Sequence, residues 1–265
     1  MRHTSPPVTC RRGRIFIRLT GKNAVGRKIV GKKLKFCGQV WYNRGMITFK
    51  DIRDNRDIQI YIRHADESMR ALGYTEHGFA HVTSVAETAA YVLQTMGYPG
   101  REVELVRIAG YMHDIGNLVN RVGHSQSGAT MTMRILDKLG MPADEIASVV
   151  TAIGNHDEGT GEPVSELAAA LILADKSDVR RSRVRASLRA ENYDIHDRVN
   201  YSVTKAELKI NADRTAVRLS LTVDTHYSSI MDYFQIFMER MTLCRQAAKQ
   251  LSLRFELFIN GQQLV

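Results

Sequence analysis

Six histidine and aspartate residues stand inside apolar or helical stretches of this chain: His81 in "HVTSVAET", His113 and Asp114 in "YMHDIGN", His124 opening "HSQSGA", His156 in "NHDEG" and Asp175 in "LILADKSD". An imidazole or carboxylate in such a setting must find hydrogen-bonding partners or hold a metal ion, because burying an unpaired charge costs on the order of several kcal/mol or more. Taken alone, His113-Asp114 reads equally well as a satisfied pair in a core. Six such groups on separate helical segments point elsewhere, since helix ends and helix middles in a bundle share one interior, where metal sites are assembled. Mixed imidazole and carboxylate ligands without thiolate suit iron, manganese or zinc in an open site, rather than a closed structural zinc site.

The elements that must position these groups are helical for most of the chain. "DIRDNRDIQIYIRHADESMRAL" repeats apolar residues at three- and four-residue spacing and stops at Gly73. Further helices are expected from about Phe79 to Met96, over "REVELVRIAGYMHD" with a break at Gly116, over "QSGATMTMRILDKLG", over "ADEIASVVTAIGNH", and over "SELAAALILADKSDVRR", whose apolar first half should cross the core. The last quarter changes character. "AELKI" and "AVRLSLTV" alternate like half-buried strands, a helix is expected from about Tyr227 to Leu251, and "RFELFI" leads to a tight Asn260-Gly261 turn. The expected fold is mainly α: a helical bundle over 46–200 with a small C-terminal ββαβ subdomain over 201–265, in which nothing suggests catalysis.

The formal charge of +9 is unevenly placed. Residues 1–45 hold twelve of the 37 basic residues and no acidic one, leaving 25 basic against 28 acidic in the remainder. The basic segment reads as a disordered extension or a false start ahead of Met46, as a nucleic-acid-binding arm, or as an import signal. Nucleic acid is an expected partner only through this segment. Cys10, Cys37 and Cys244 give no disulfide framework and no zinc-ligand spacing, and no run approaches a membrane span, so a cytoplasmic location without a membrane partner is expected.

The order His81 in "H-x-x-x-V-A", His113-Asp114 in "HDIGN" and Asp175 in "LILAD" resembles the signature of the HD-domain metal-dependent phosphohydrolase superfamily. "HSQSGA" and "HDEG" are similar to the second-metal histidine motifs of its binuclear members, especially the diadenosine tetraphosphatase type. The likeness covers roughly Glu76 to Arg185. It departs from the pattern at Asn117, where many members have Lys, and in the C-terminal tail.

Carried over by residue, the resemblance implies that His81, His113, Asp114 and Asp175 hold one divalent ion. His124 and His156 would hold a second, with Asp114 bridging and with His113 and Asp114 at the chemical centre. The implied function is a hydrolase cleaving a phosphate ester or anhydride of a nucleotide or small phosphorylated compound through a metal-activated water. The alternative is a nucleotide-sensing or RNA-binding regulatory module with a structural metal site.

Around this set, His77 lies four residues before His81 and reads as a substrate contact or a solvated helix-start residue. Asn117 is a candidate for base or ribose. Lys176, Arg181 and Arg183 in "KSDVRRSRVR" are candidates for phosphate, although Arg181 can serve only if the helix ends or bends beyond Asp175. Asp178 suits an orienting role, and Asp157 reads as a base or as a helix-end cap.

Overall fold

A computed structural model describes residues 8–11, 14–17, 46–185 and 193–265. The chain divides into two compact units, Met1–Asn43 and Arg44–Val265. In the first, β1 (Val8–Arg11) and β2 (Arg14–Ile17) pair antiparallel. The rest of the basic segment, for which an extension, a false start or a nucleic-acid arm is expected, lies outside the described residues.

In the second unit, Thr48 opens α1 (Phe49–Arg53) with a capping box. The single helix expected from residue 51 to residue 72 is interrupted: Asn55 starts a new one, α2 (Arg56–Ala71), its Oδ1 accepting from the backbone of Asp57 at 3.0 Å and Ile58 at 3.2 Å. That cap outweighs the continuous apolar period across the break. The chain continues through α3 (Phe79–Met96), α4 (Gly100–Met112), a 3-10 turn (Ile115–Leu118), α5 (His124–Leu139), α6 (Ala143–Gly154) and α7 (Glu166–Ser177).

Every residue of α7 from Leu167 to Ser177 is buried, as its apolar first half requires. It ends at Ser177, short of the expected Arg181, because Asp178 leaves the helical region with ψ 67°. A 3-10 turn (Arg181–Arg183) then bends the chain back on itself. Helix α8 (Ile195–Ser202), capped by Asp194, is not foreseen by the periodicity and runs directly into the sheet, so the boundary drawn at 200/201 falls inside it.

The sheet contains β3 (Val203–Ile210), β4 (Ala216–Val223), β5 (Arg254–Ile259) and β6 (Gln262–Gln263) in that spatial order. Strands β3 and β4 are antiparallel, with Leu208 opposite Leu219. The β4–β5 pair is parallel because α9 (Ile230–Gln250) makes the crossover. At the last turn Asn260 and Gly261 both take positive φ, 51° and 83°, as a two-residue hairpin requires, which adds the short β6 to the expected ββαβ order. Helix α9 lies against α7, and one hydrophobic core spans the bundle and the sheet. No described helix is long and apolar enough to cross a membrane.

Helices α3 and α4 are in close contact at Gly110, where an added Cβ would stand 2.7 Å from Ala86 Cα and 2.9 Å from Ala86 N. Since those are backbone atoms, the helices themselves must separate. Gly110→Ala should destabilise the fold by about 1–3 kcal/mol, measured as a lowered urea midpoint with an unchanged slope.

Candidate metal centre

Five elements deliver the six sequence-predicted ligands to one buried point. His81 lies in the first turn of α3, His113 closes α4 and Asp114 follows it. His124 starts α5, His156 follows α6, and Asp175 lies in the last turn of α7. The four imidazoles and Asp114 are at most 4% exposed, and Asp175 is 9% exposed.

Two glycines allow the approach. A Cβ at Gly116 would sit 2.0 Å from His124 O and 2.5 Å from Gly128 N, and one at Gly128 would sit 3.1 Å from His113 O. The glycines of "HDIGN" and "HSQSGA" therefore let the turn after Asp114 press onto the start of α5.

Local structure aims each ring. His113 Nδ1 donates to Gly110 O at 2.8 Å and His156 Nδ1 to Ile153 O at 2.6 Å, so each histidine satisfies a last-turn carbonyl of the helix before it. His124 Nδ1 faces Arg121 O at 3.1 Å, and His81 Nδ1 donates to Asp178 Oδ2 at 2.7 Å. With Nδ1 committed, each ring turns Nε2 inward as the atom left to carry a proton or hold a metal, the arrangement in which outer partners orient metal-binding histidines.

The inward atoms form two groups about the Asp114 carboxylate. Its Oδ2 lies 3.3 Å from His113 Nε2 and 3.5 Å from His81 Nε2, and Asp175 Oδ1 lies 3.6 Å and 3.3 Å from the same two nitrogens. Its Oδ1 lies 3.4 Å from His124 Nε2 and 4.0 Å from His156 Nε2. Buried His81 Nε2 and His113 Nε2 have no hydrogen-bond partner among the described residues.

These separations are long for hydrogen bonds. They match instead the spacing around a shared ion: ligand atoms each about 2.0–2.2 Å from one centre lie about 3.0–3.5 Å from one another. The donor atoms of His81, His113 and Asp175 fall within 4.8 Å of one another, as do those of His113, Asp114 and His156. The residues present fit a divalent metal.

The electrostatics agree. Burial alone would raise Asp114 and Asp175, yet His113 and His81 about Asp114, and Lys176 and the same imidazoles about Asp175, hold both carboxyls well below the usual range. Burial opposes charge on His81 and His113, but the carboxylates outweigh it and push them up to about 9 and about 10. On the other side, burial holds His156 well below the ordinary imidazole value and lowers His124. One half of the cluster thus demands a positive charge, which a proton or a metal supplies.

A cavity of about 160 Å³ opens onto this cluster. Three predicted substrate residues, His77, Lys176 and Arg183, line it, together with Asp157. His77 Nδ1 is tied to Thr75 O at 2.7 Å. Lys176 Nζ is held between Asp175 Oδ2 and Glu158 Oε2, both at 2.7 Å, so it bridges protein carboxylates.

Asn117 and Arg181 do not reach the cavity. Asn117 is 2% exposed and its Nδ2 donates to Asp114 Oδ1 at 2.9 Å, a position enforced by the 3-10 turn. Arg181 faces away: its Nε donates to Tyr201 O at 2.6 Å, its guanidinium lies 4.5 Å from the Tyr201 ring, and it pairs with Asp224. The helix ends as Arg181 would need, but the turn points that side chain at α8 and brings Arg183 inward.

Sequence reasoning misses Arg121, His196, Phe237 and Arg240 in the lining, and Glu158 behind Lys176. Phe237 and Arg240 bring the C-terminal segment, in which nothing in the sequence suggests catalysis, to the wall of the cavity. Arg240 stands on the buried face of α9, three residues after Phe237 and four before Cys244. A charge on an apolar face is the same signal that marks Asp175.

Residues 78–180 match the family model described as HD domain, a span containing all six ligand candidates. The chain is 25% identical over 183 residues to the uncharacterized protein MJ1020 of Methanocaldococcus jannaschii, covering 61% of this chain and 70% of that protein. It is also similar to a solved structure titled a predicted HD superfamily hydrolase from an uncultured Thermotogales bacterium, at 25% identity and a TM-score of 0.38, over 47% of this chain and 68% of that one. The domain match supports the HD superfamily for the helical segment.

Metal binding must displace the protons of His81 and His113, so Mn²⁺ affinity should rise as pH rises from 6 to 9, with release of up to about two protons at pH 7. Calorimetry in buffers of different ionisation enthalpy measures both; pH-independent affinity would refute the displacement. Asp178→Asn, which weakens the partner that aims His81, should loosen Mn²⁺ binding about 10- to 100-fold with helix content preserved.

Proposed function

We propose that this protein is a metal-dependent phosphohydrolase that uses two divalent ions, of iron, manganese or zinc, to hydrolyse a phosphate ester or anhydride of a nucleotide or similar small phosphorylated compound. The observation that carries this reading is the Asp114 carboxylate, whose two oxygens face different imidazole pairs, His81 with His113 and His124 with His156. His81, His113, Asp114 and Asp175 would hold one ion, and Asp114, His124 and His156 the other. Bound there, the pair supplies a water of lowered pKa and positive charge for the phosphoryl oxygens.

The chain's own residues do the rest. Arg121, Lys176, Arg183 and Arg240 line the cavity beside the carboxylates of Asp114, Asp157, Asp175, Asp194 and Asp197. That balance does not favour an anion by itself, so phosphate binding should require the metals. Asn117 holds Asp114 by donating to Oδ1, and Lys176 keeps Asp175 ionised from the opposite side. A cavity of about 160 Å³, lined in part by the exposed Tyr74, accommodates a phosphoryl group and its immediate neighbours, while a larger group would project beyond it.

Metal content per chain and phosphate release from nucleotides, dinucleoside polyphosphates and simple esters test this together. Near two ions and release from one of these classes are expected. Asp114→Ala should lose both metal retention and turnover, by about 10³-fold or more in rate if Asp114 holds the ions that lower the barrier by about 4 kcal/mol or more. Full activity of that variant would sink the assignment.

A further inference from the structure

Glu158 joins two cations. Its Oε2 accepts from Lys176 Nζ at 2.7 Å and its Oε1 from Arg240 Nε at 2.6 Å, while the same Lys176 Nζ reaches Asp175 Oδ2 at 2.7 Å. A line of alternating charge therefore runs from a ligand candidate on α7 to a guanidinium on α9. One turn earlier on α9, the Phe237 ring lies 4.3 Å from the Arg240 guanidinium carbon and backs its face.

With Nε committed to Glu158 and the plane set by Phe237, the guanidinium has little freedom. Its terminal nitrogens form no hydrogen bond among the described residues, although the residue lines the cavity and its side chain is only 22% exposed. Arg240 is the second cation on Glu158, whose other partner, Lys176, is shared with Asp175. Two pre-oriented, unused donors on a cavity wall suit the forked geometry of phosphate oxygens. Arg183, 5% exposed and tied to Glu76 O and Asp178 O, adds a second guanidinium to the same cavity.

We infer that Arg240 is a substrate-binding residue whose terminal nitrogens take a phosphate oxygen, so that the C-terminal ββαββ segment completes the site of the HD domain. This rests on the phosphohydrolase reading. It goes beyond that reading in assigning part of substrate recognition to α9, outside the residues that match the HD domain.

The test is calorimetric titration of the full chain, loaded with Mn²⁺, with inorganic phosphate. Wild type should bind phosphate only when metal-loaded. Arg240→Gln, with Mn²⁺ content unchanged, should bind about 10- to 100-fold more weakly, the usual scale for losing a charge-assisted hydrogen bond. Arg240→Lys should fall between, because a point charge replaces the fork.

A strut between α9 and Glu158 would lower the Tm of Arg240→Gln and leave its phosphate Kd unchanged, which overturns the inference and leaves the phosphohydrolase reading standing. Failure of metal-loaded wild type to bind phosphate would overturn that reading and this inference with it. Should Arg240→Gln not fold, Arg240→Lys decides: a Kd at least about threefold weaker supports the role, and an unchanged Kd rejects it.

Discussion

A carboxylate buried in a helical core must be surrounded by charge or by donors, and the structure is arranged around that demand at Asp114. Both oxygens are occupied, but by imidazole nitrogens at 3.3 to 4.0 Å rather than by close hydrogen bonds, apart from the Asn117 amide at 2.9 Å. Such a cluster leaves the group under-coordinated as a hydrogen-bond acceptor and well placed as a bridging ligand. The converging ends of α4, α6 and α7 and the beginnings of α3 and α5 follow from the need to supply those nitrogens together.

Helix termination and ligand orientation use the same atoms. The carbonyls of Gly110 and Ile153 lie in the last turns of α4 and α6, where the helix provides no donor, and His113 and His156 provide one through Nδ1. The ring that caps the helix is thereby fixed with its other nitrogen toward Asp114. At α3 the orienting partner is a carboxylate instead: Asp178, which burial would raise, is held low by His81 and Arg183 and remains an acceptor for Nδ1. That partner exists because α7 stops at Ser177 and frees Asp178 to turn toward α3.

Charge then propagates outward from Asp175 through Lys176 and Glu158 to Arg240. Glu158, which burial would raise, is kept ionised by Lys176 and Arg240. The C-terminal helix is therefore bound to the bundle by apolar packing against α7 and also by an ionic chain that runs from buried Lys176 to the partly buried Glu158 and Arg240.

Helix type and rough extent, the sheet-forming tail and the six ligand candidates are properties of short stretches, governed by period, capping and the anomaly of charge among apolar residues. Asp175 was legible because it interrupts an apolar run and His113-Asp114 because they end one, whereas His81, His124 and His156 were marked by their places on the helices and in the motifs that resemble the HD family. Asn55 was equally local, yet its capping geometry is visible only once the chain turns there.

The rest was decided by tertiary structure. Asn117 turns onto Asp114 and Arg181 onto Tyr201 because of how the chain bends after α4 and after α7. Arg240 reaches the cavity because α9 crosses between parallel strands and lies on α7. Sequence patterns record which face of an element is apolar, and that is set within a few turns. Which polar group on a distant element meets which other depends on where the elements pack, a relation between segments that no single segment encodes.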